Sequence, residues 1–140
     1  MKFMVIVKAS AESEAGQMPA PDLFEAMGRF NEQMIDAGVM VASEGLMESR
    51  KGFRLRFAKG KHTVIDGPFA ETRELIAGFW IIDVKDRDEA IAWMRKYPFT
   101  EGEELEIRKV WEAADWENAG APDSVIEEDA RLGAKETAQK

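Results

Sequence analysis

The chain has 140 residues, with 27 acidic side chains against 19 basic ones, a single histidine and no cysteine. That length suits one domain with a real core. The lack of cysteine excludes disulfides and thiolate metal sites, and a lone His62 excludes a multi-histidine metal site within one chain. A net charge of −8 argues against a nucleic-acid surface, which needs clustered Lys and Arg to replace counterions. The excess is concentrated at the C-terminus, where residues 112–140 hold eight acids against three bases. Residues 1–111 therefore read as the domain, and residues 112–140 as an acidic extension that is partly helical. No metal and no cofactor is expected.

Lys2 to Lys8 is predicted as a strand, apolar at odd and even positions alike, which means that both of its faces are covered. Its apolar run Phe3–Val7 is too short for a signal peptide or a membrane span, so no membrane partner is expected and the cytoplasm is the expected compartment. Ser10 to Pro21 is a polar loop. Asp22, with Glu25 three residues on, has the signature of a capping box opening a helix. Leu23, Met27, Phe30 and Met34 form its apolar stripe, and Gly38 ends it. Val39 to Ser49 is extended, with a break at Ser43-Glu44-Gly45. Gly52 to Ala58 alternates, Phe53, Leu55 and Phe57 on one face and Arg54 and Arg56 on the other, as in a strand with one wet face. Lys59-Gly60 is a two-residue turn into a short strand, His62 to Ile65.

Asp66 to Glu74 cannot be a periodic element, because Pro68 lacks an N–H and Gly67 invites an unusual backbone angle. Leu75 to Val84 is a second strand apolar on both faces. Asp86 and Glu89 repeat the capping signature for a helix running through Ala90, Trp93, Met94 and Tyr97, stopped by Pro98. Glu104 to Trp111 is the last strand. Asp115 to Pro122 is loop, Ser124 to about Ala134 an exposed acidic helix, and Lys135 to Lys140 a frayed end.

The order β-α-β-β-β-β-α-β predicts an α+β fold: a ferredoxin-like sandwich, with an antiparallel sheet and two helices on one face. Two helices cover one face only, yet strands 2–8 and 75–84 are apolar on both. A second copy packing sheet against sheet is the economical cover, so a homodimer is expected.

Several blocks carry a resemblance. Asp66-Gly67-Pro68-Phe69-Ala70-Glu71-Thr72-Arg73-Glu74, Gly78-Phe79-Trp80-Ile81-Ile82-Asp83-Val84, Asp88-Glu89-Ala90-Ile91, and Ala37-Gly38-Val39 leading to Ser43-Glu44-Gly45-Leu46 resemble the YCII-related family in its DGPF-domain branch. The likeness spans residues 2–111. It implies a ferredoxin-like domain pairing into a dimeric α/β barrel, and no particular reaction. Enzyme-like members carry a histidine on the first helix facing an aspartate. Residues 22–37 hold no histidine here, so that pair does not carry over. Similar domains stand beside or are fused to alternative sigma factors, which adds a non-catalytic regulatory reading.

The candidate chemistry is a small-molecule site, with a cofactor-independent enzyme as one form of it. Asp66 is a candidate general base at a cleft lip, or a turn residue bonding its own backbone. His62 is the one imidazole, the side-chain type suited to proton transfer near neutral pH. It stands four residues from Asp66, roughly 13 Å along a strand, so a direct pair is not expected. Glu44 is a candidate acid or base if enclosed. Arg73 is a candidate anion clamp and Glu71 a candidate ligand contact, or both belong to a solvated loop. Trp80 is a candidate pocket wall, or simply core.

Overall fold

The computed structural model describes residues 1–71 and 74–140. Among these residues, six strands and five helices follow one another: β1 (Lys2–Lys8), α1 (Ala11–Glu14), α2 (Pro21–Asp36), β2 (Met40–Gly45), β3 (Phe53–Ala58), β4 (Lys61–Asp66), β5 (Ile76–Asp83), α3 (Arg87–Met94), β6 (Leu105–Lys109), α4 (Ala113–Asn118) and α5 (Asp123–Ala138). A 3-10 turn, Ser49–Lys51, precedes β3. Four strands form an antiparallel sheet in the order β2-β5-β1-β6, while β3 and β4 form a two-stranded sheet of their own. With the β3–β4 hairpin set aside, this is the ferredoxin-like order expected from the sequence.

Register explains the sheet's two faces. Phe3 pairs with Ile82 and Val5 with Trp80, and these four side chains meet Phe30 and Met34 of α2 and Ala90 and Met94 of α3 in one core. Val5, Met34 and Ile82 are fully buried. The alternate positions pair Met4 with Ile81 and Ile6 with Phe79, and these side chains stand on the opposite face. They are half-buried and belong to no buried cluster. Both core helices therefore lie on one face, and the second face of the sheet is left open by them.

Several local expectations are corrected. Helix α2 begins at Pro21 with Ala20 as its cap, and no side chain caps it. The fixed φ of proline at the first helical position starts the helix, so the Asp22 box is not used. Asp86 does cap α3, accepting from Glu89 N at 2.9 Å, while the Glu89 carboxylate accepts from Lys85 N at 2.5 Å. Helix α3 ends at Met94 rather than Tyr97, consistent with the bias against helix just before Pro98. The stretch read as loop before α5 contains α4, tied back to β1 where Lys2 N donates to Glu112 Oε1 at 2.9 Å. The loop read at Ser10–Pro21 contains α1, capped by Ser10 and Ser13. Among the described residues no helix is long and apolar enough to cross a membrane.

Candidate functional site

The Asp66–Phe69 turn is built against the Ser49 turn. Ser49 Oγ donates to Glu14 Oε2 at 2.5 Å and accepts from Phe69 N at 3.1 Å. Ser49 N donates to the same carboxylate at 3.2 Å, and Gly67 N donates to Gly52 O at 3.0 Å. Helix α1, one turn long, thus sets a carboxylate on the 3-10 turn, which in turn holds the backbone of the Asp66 turn. A Cβ on Gly67 would lie 1.8 Å from Ser49 O. Glycine is required there by close backbone approach; Gly67 is not among the positive-φ residues, contrary to the unusual angle expected. The Gly67–Pro68 peptide is cis. Gly16 follows α1 at φ 74°, and a side chain there would crowd Glu48.

Glu48 lies at the same joint, bonded to Arg50 Nη2 at 2.7 Å and Lys51 Nζ at 3.5 Å. A hydrogen bond to its own backbone, with Lys51 and Arg50 nearby, holds its carboxyl below the ordinary value. Sequence reasoning missed Glu14, Glu48 and Ser49. The Ser10–Ser13 capping pattern was the signal for α1, but no spacing in the chain links Glu14 to Ser49.

The residues singled out from the sequence are dispersed. Asp66 ends β4 opposite Phe53 and is exposed. His62 is exposed four positions earlier, its ring edge-on to Phe57 with centroids 4.8 Å apart. Because β4 is extended throughout, His62 and Asp66 remain roughly 13 Å apart along the strand. Glu44 stands on the open face of the four-stranded sheet beside Phe79 and is exposed. Glu71 approaches Arg54 Nη1 at 3.9 Å with both side chains half exposed or more, an ion pair of little energetic weight. Arg73 lies outside the described residues.

Trp80 is core. It is 4% exposed, donates from Nε1 to Asn31 Oδ1 at 2.9 Å, and meets Phe30 and Tyr97 edge-on, each at 5.7 Å between centroids. Burial, with Glu103 adding to it, pushes the Tyr97 phenol above its ordinary value.

Open clefts lie elsewhere on the described residues. One, of about 780 Å³, lies between the ends of α2 and α3 and is lined by Gln33, Asp36, Ala37, Trp93 and Lys96. Another, of about 410 Å³, is lined by Lys109, Val110, Trp111, Asp115 and Asn118. Beside it Trp111 stacks on Trp116 at 4.3 Å, and Lys109 bonds Asp115, whose carboxyl is thereby held below its ordinary value. Neither cleft is lined by Asp66, Glu44 or His62. Among the described residues no group of acidic and histidine side chains is placed to hold a metal ion.

The model of the YCII-related domain matches residues 1–114. The chain belongs to the YCII-related family. A protein of Rhizobium meliloti (strain 1021), described as "Uncharacterized protein R00369", is 38% identical over 61 residues, which are 44% of this chain and 49% of that protein. The match thus spans about half of that relative's length. Among solved structures, 5-chloro-2-hydroxyhydroquinone dehydrochlorinase (TftG) from Burkholderia phenoliruptrix AC1100, in complex with 2,5-dihydroxybenzoquinone, aligns over 80% of this chain and 94% of its own, with a TM-score of 0.43 and 15% identity.

Proposed function

We propose that this YCII-related protein, of the branch marked by Asp66-Gly67-Pro68-Phe69, works in the cytoplasm as a homodimer that binds a small organic molecule beside its paired sheet faces, as a cofactor-independent enzyme. The observation that carries this reading is the open sheet face: Met4, Ile6, Phe79 and Ile81 are apolar, face away from both core helices, and have Glu44 among them. Covering that face with a second copy encloses a carboxylate within apolar walls, the usual composition of a small-ligand site. Glu44, Asp66 and His62 are the proposed acid–base groups, and Glu71 and Arg73 the proposed ligand contacts. Trp80 fixes the strand behind Phe79 from the core side.

Sedimentation and ligand-induced thermal shifts test the reading. The chain sediments as a dimer at micromolar concentration, and some member of a panel of small organic acids and phenols raises its melting temperature in wild type but not in Glu44→Gln. A ligand at about 100 times its Kd adds about 2.7 kcal/mol. A stable monomer, or a panel hit unaffected by Glu44→Gln, would end the reading.

A second, non-catalytic reading treats residues 112–140 as an acidic partner-binding extension of a regulatory module. It is favoured by α5, on which Val125 is 44% and Leu132 50% exposed. Pull-down with wild type and with Val125→Glu/Leu132→Glu decides it. A partner captured equally by both forms counts against that role for the extension.

A further inference from the structure

The segment that joins the core to the C-terminal extension builds a cleft apart from the sheet face. Along β6, Leu105, Ile107 and Lys109 share one side of the sheet, and Lys109 pairs with Phe3. Phe3, Leu105 and Ile107 pack in the core. Lys109 therefore stands on the helix-covered side, at the sheet's outer strand, and not on the side of Met4, Ile6, Phe79 and Ile81. The chain leaves β6 through Val110, whose N–H donates to Lys2 O at 2.9 Å. It enters α4 through a turn in which Glu112 N donates to Asp115 Oδ2 at 3.0 Å. That turn lays Trp116 against Trp111, the rings 17° from parallel with 4.3 Å between centroids. One face of Trp111 is thereby covered, yet the residue is still 55% exposed. Its open side is a wall of the cleft of about 410 Å³, with Lys109, Val110, Asp115 and Asn118, a size within the range of small-ligand sites.

Packing by itself is a poor account of this pair. Trp116 Nε1 is buried without a hydrogen-bond partner among the described residues, an unfavourable state that a phenylalanine would avoid. What the stack supplies is an indole face, braced from behind, at the mouth of a cleft. Charge then selects what lies on that face. Lys109 bonds Asp115 and lies 3.9 Å from Glu112 Oε2, so one ammonium stands between two carboxylates. Asp115 Oδ2 takes both the Lys109 and the Glu112 N bonds, and Oδ1 takes none among the described residues. Val110 and Asn118 add no charge. The centre of an indole face is itself negative. The carboxylate excess and the ring thus act together, against an anion and in favour of a cation. Among organic cations, guanidinium is planar and weakly hydrated. It lies flat on an aromatic ring while its edge donates to a carboxylate, which a compact, strongly hydrated ammonium does less well.

We infer that this cleft binds a small guanidino compound, its guanidinium stacked on the open face of Trp111 and donating to Asp115 Oδ1, with Val110 against its alkyl chain. Trp116 and Lys109 are positioning residues, the first holding the indole and the second holding the carboxylate. The site does not depend on the homodimer proposed above or on Glu44, Asp66 and His62. It lies on the opposite side of the sheet from the face proposed to pair, so pairing leaves it open. It also gives the start of the C-terminal extension a task, because Trp111 and α4 supply its walls.

Proton–nitrogen NMR correlation spectra of the full chain test the site, since each of the four tryptophans contributes one indole N–H signal. Trp111→Phe and Trp116→Phe assign the two signals of the stack. Titration with butylguanidine should shift the Trp111 signal, and Trp116 behind it, to saturation in the low-millimolar range, while the core Trp80 signal stays in place. Butylurea has the same shape without the charge, and butylamine the same charge without the plane. Each should bind about tenfold more weakly, and butanoate should not bind. Asp115→Asn should raise the dissociation constant for butylguanidine about tenfold, and Trp111→Leu should do the same, both with an unmoved Trp80 signal. Should Asp115→Asn disturb the first turn of α4, seen as a displaced Trp116 signal before any ligand is added, Trp111→Leu carries the test. Butylurea binding as tightly as butylguanidine would show that charge is not read, and butanoate binding the tighter would give the cleft to Lys109 and an anion. Either overturns the inference, as do equal shifts at all four indoles, a titration that never saturates, or an affinity that Trp111→Leu leaves unchanged.

Discussion

The four-stranded sheet and the β3–β4 hairpin use the same alternating pattern of side chains and reach opposite ends. In the sheet, Phe3, Val5, Trp80 and Ile82 find Phe30, Met34, Ala90 and Met94 above them, so one face becomes a close-packed core. In the hairpin, Phe53, Leu55, Phe57 and Val64 meet only one another and His62 across the strands, and among the described residues no layer covers them. The difference lies in what the connections can reach. The sheet's crossovers are helices of 16 and 8 residues that fold back over it. The hairpin returns on itself through Lys59-Gly60 and is tied down at its base, by Ser49, Gly67 and Arg54. Alternation thus states that a face is to be covered, and the topology states whether this chain covers it.

The contrast can be broken first in the core. Met34→Ala removes a fully buried side chain and should cost about 2–5 kcal/mol in urea unfolding; a cost under 1 kcal/mol would mean that the core is not close-packed at α2. Next comes the joint that separates the two regions. Gly67→Ala forces a methyl group into Ser49 O and should cost about 3 kcal/mol, the upper end of overpacking, because a backbone carbonyl has to move. An alanine variant of unchanged stability would show that the Asp66 turn is not seated on the Ser49 turn. Ser49→Ala strips the Phe69 amide and the Glu14 carboxylate of a partner, with an expected loss of about 1–3 kcal/mol.

A smaller effect depends on pH. The Tyr97 phenol holds its proton more tightly in the folded chain, through burial and then through Glu103. Its contribution is therefore complete below about pH 10, the ordinary phenol value, and is lost as pH rises beyond it. Wild type should lose stability more steeply than Tyr97→Phe above about pH 10, as read by unfolding midpoints; parallel curves would refute the assignment. The smallest effect belongs to the hairpin. At concentrations below dimerisation, Leu55→Ala should change stability by no more than about 0.5 kcal/mol, as for an exposed position. A larger loss would show that the face is already covered in one chain.

How much of this was legible in advance varies by element. The core strands were, because Phe3–Val7 is free of polar side chains and Ile76–Val84 is interrupted only by Asp83. The α3 cap was legible through Asp86 and Glu89, whereas the Asp22 box was a false signal that Pro21 overrode one residue earlier. Helices α1 and α4 are short and nearly free of apolar stripe, so periodicity gave no sign of them. Of the candidate site, the residue types at Asp66, His62 and Glu44 could be read, but their separation onto two different sheets could not.

By itself, the sequence determined the family signature at Asp66–Glu74, the two-faced central strands and the ferredoxin-like order of elements. These are local or periodic properties, carried by neighbours in the chain. Only the tertiary structure decided that Gly67 is needed for its approach to Ser49, that Glu14 supports that turn from 35 residues before Ser49, and that the hairpin's apolar face stands bare. Each of these depends on contacts between distant segments, and no spacing along the chain encodes them.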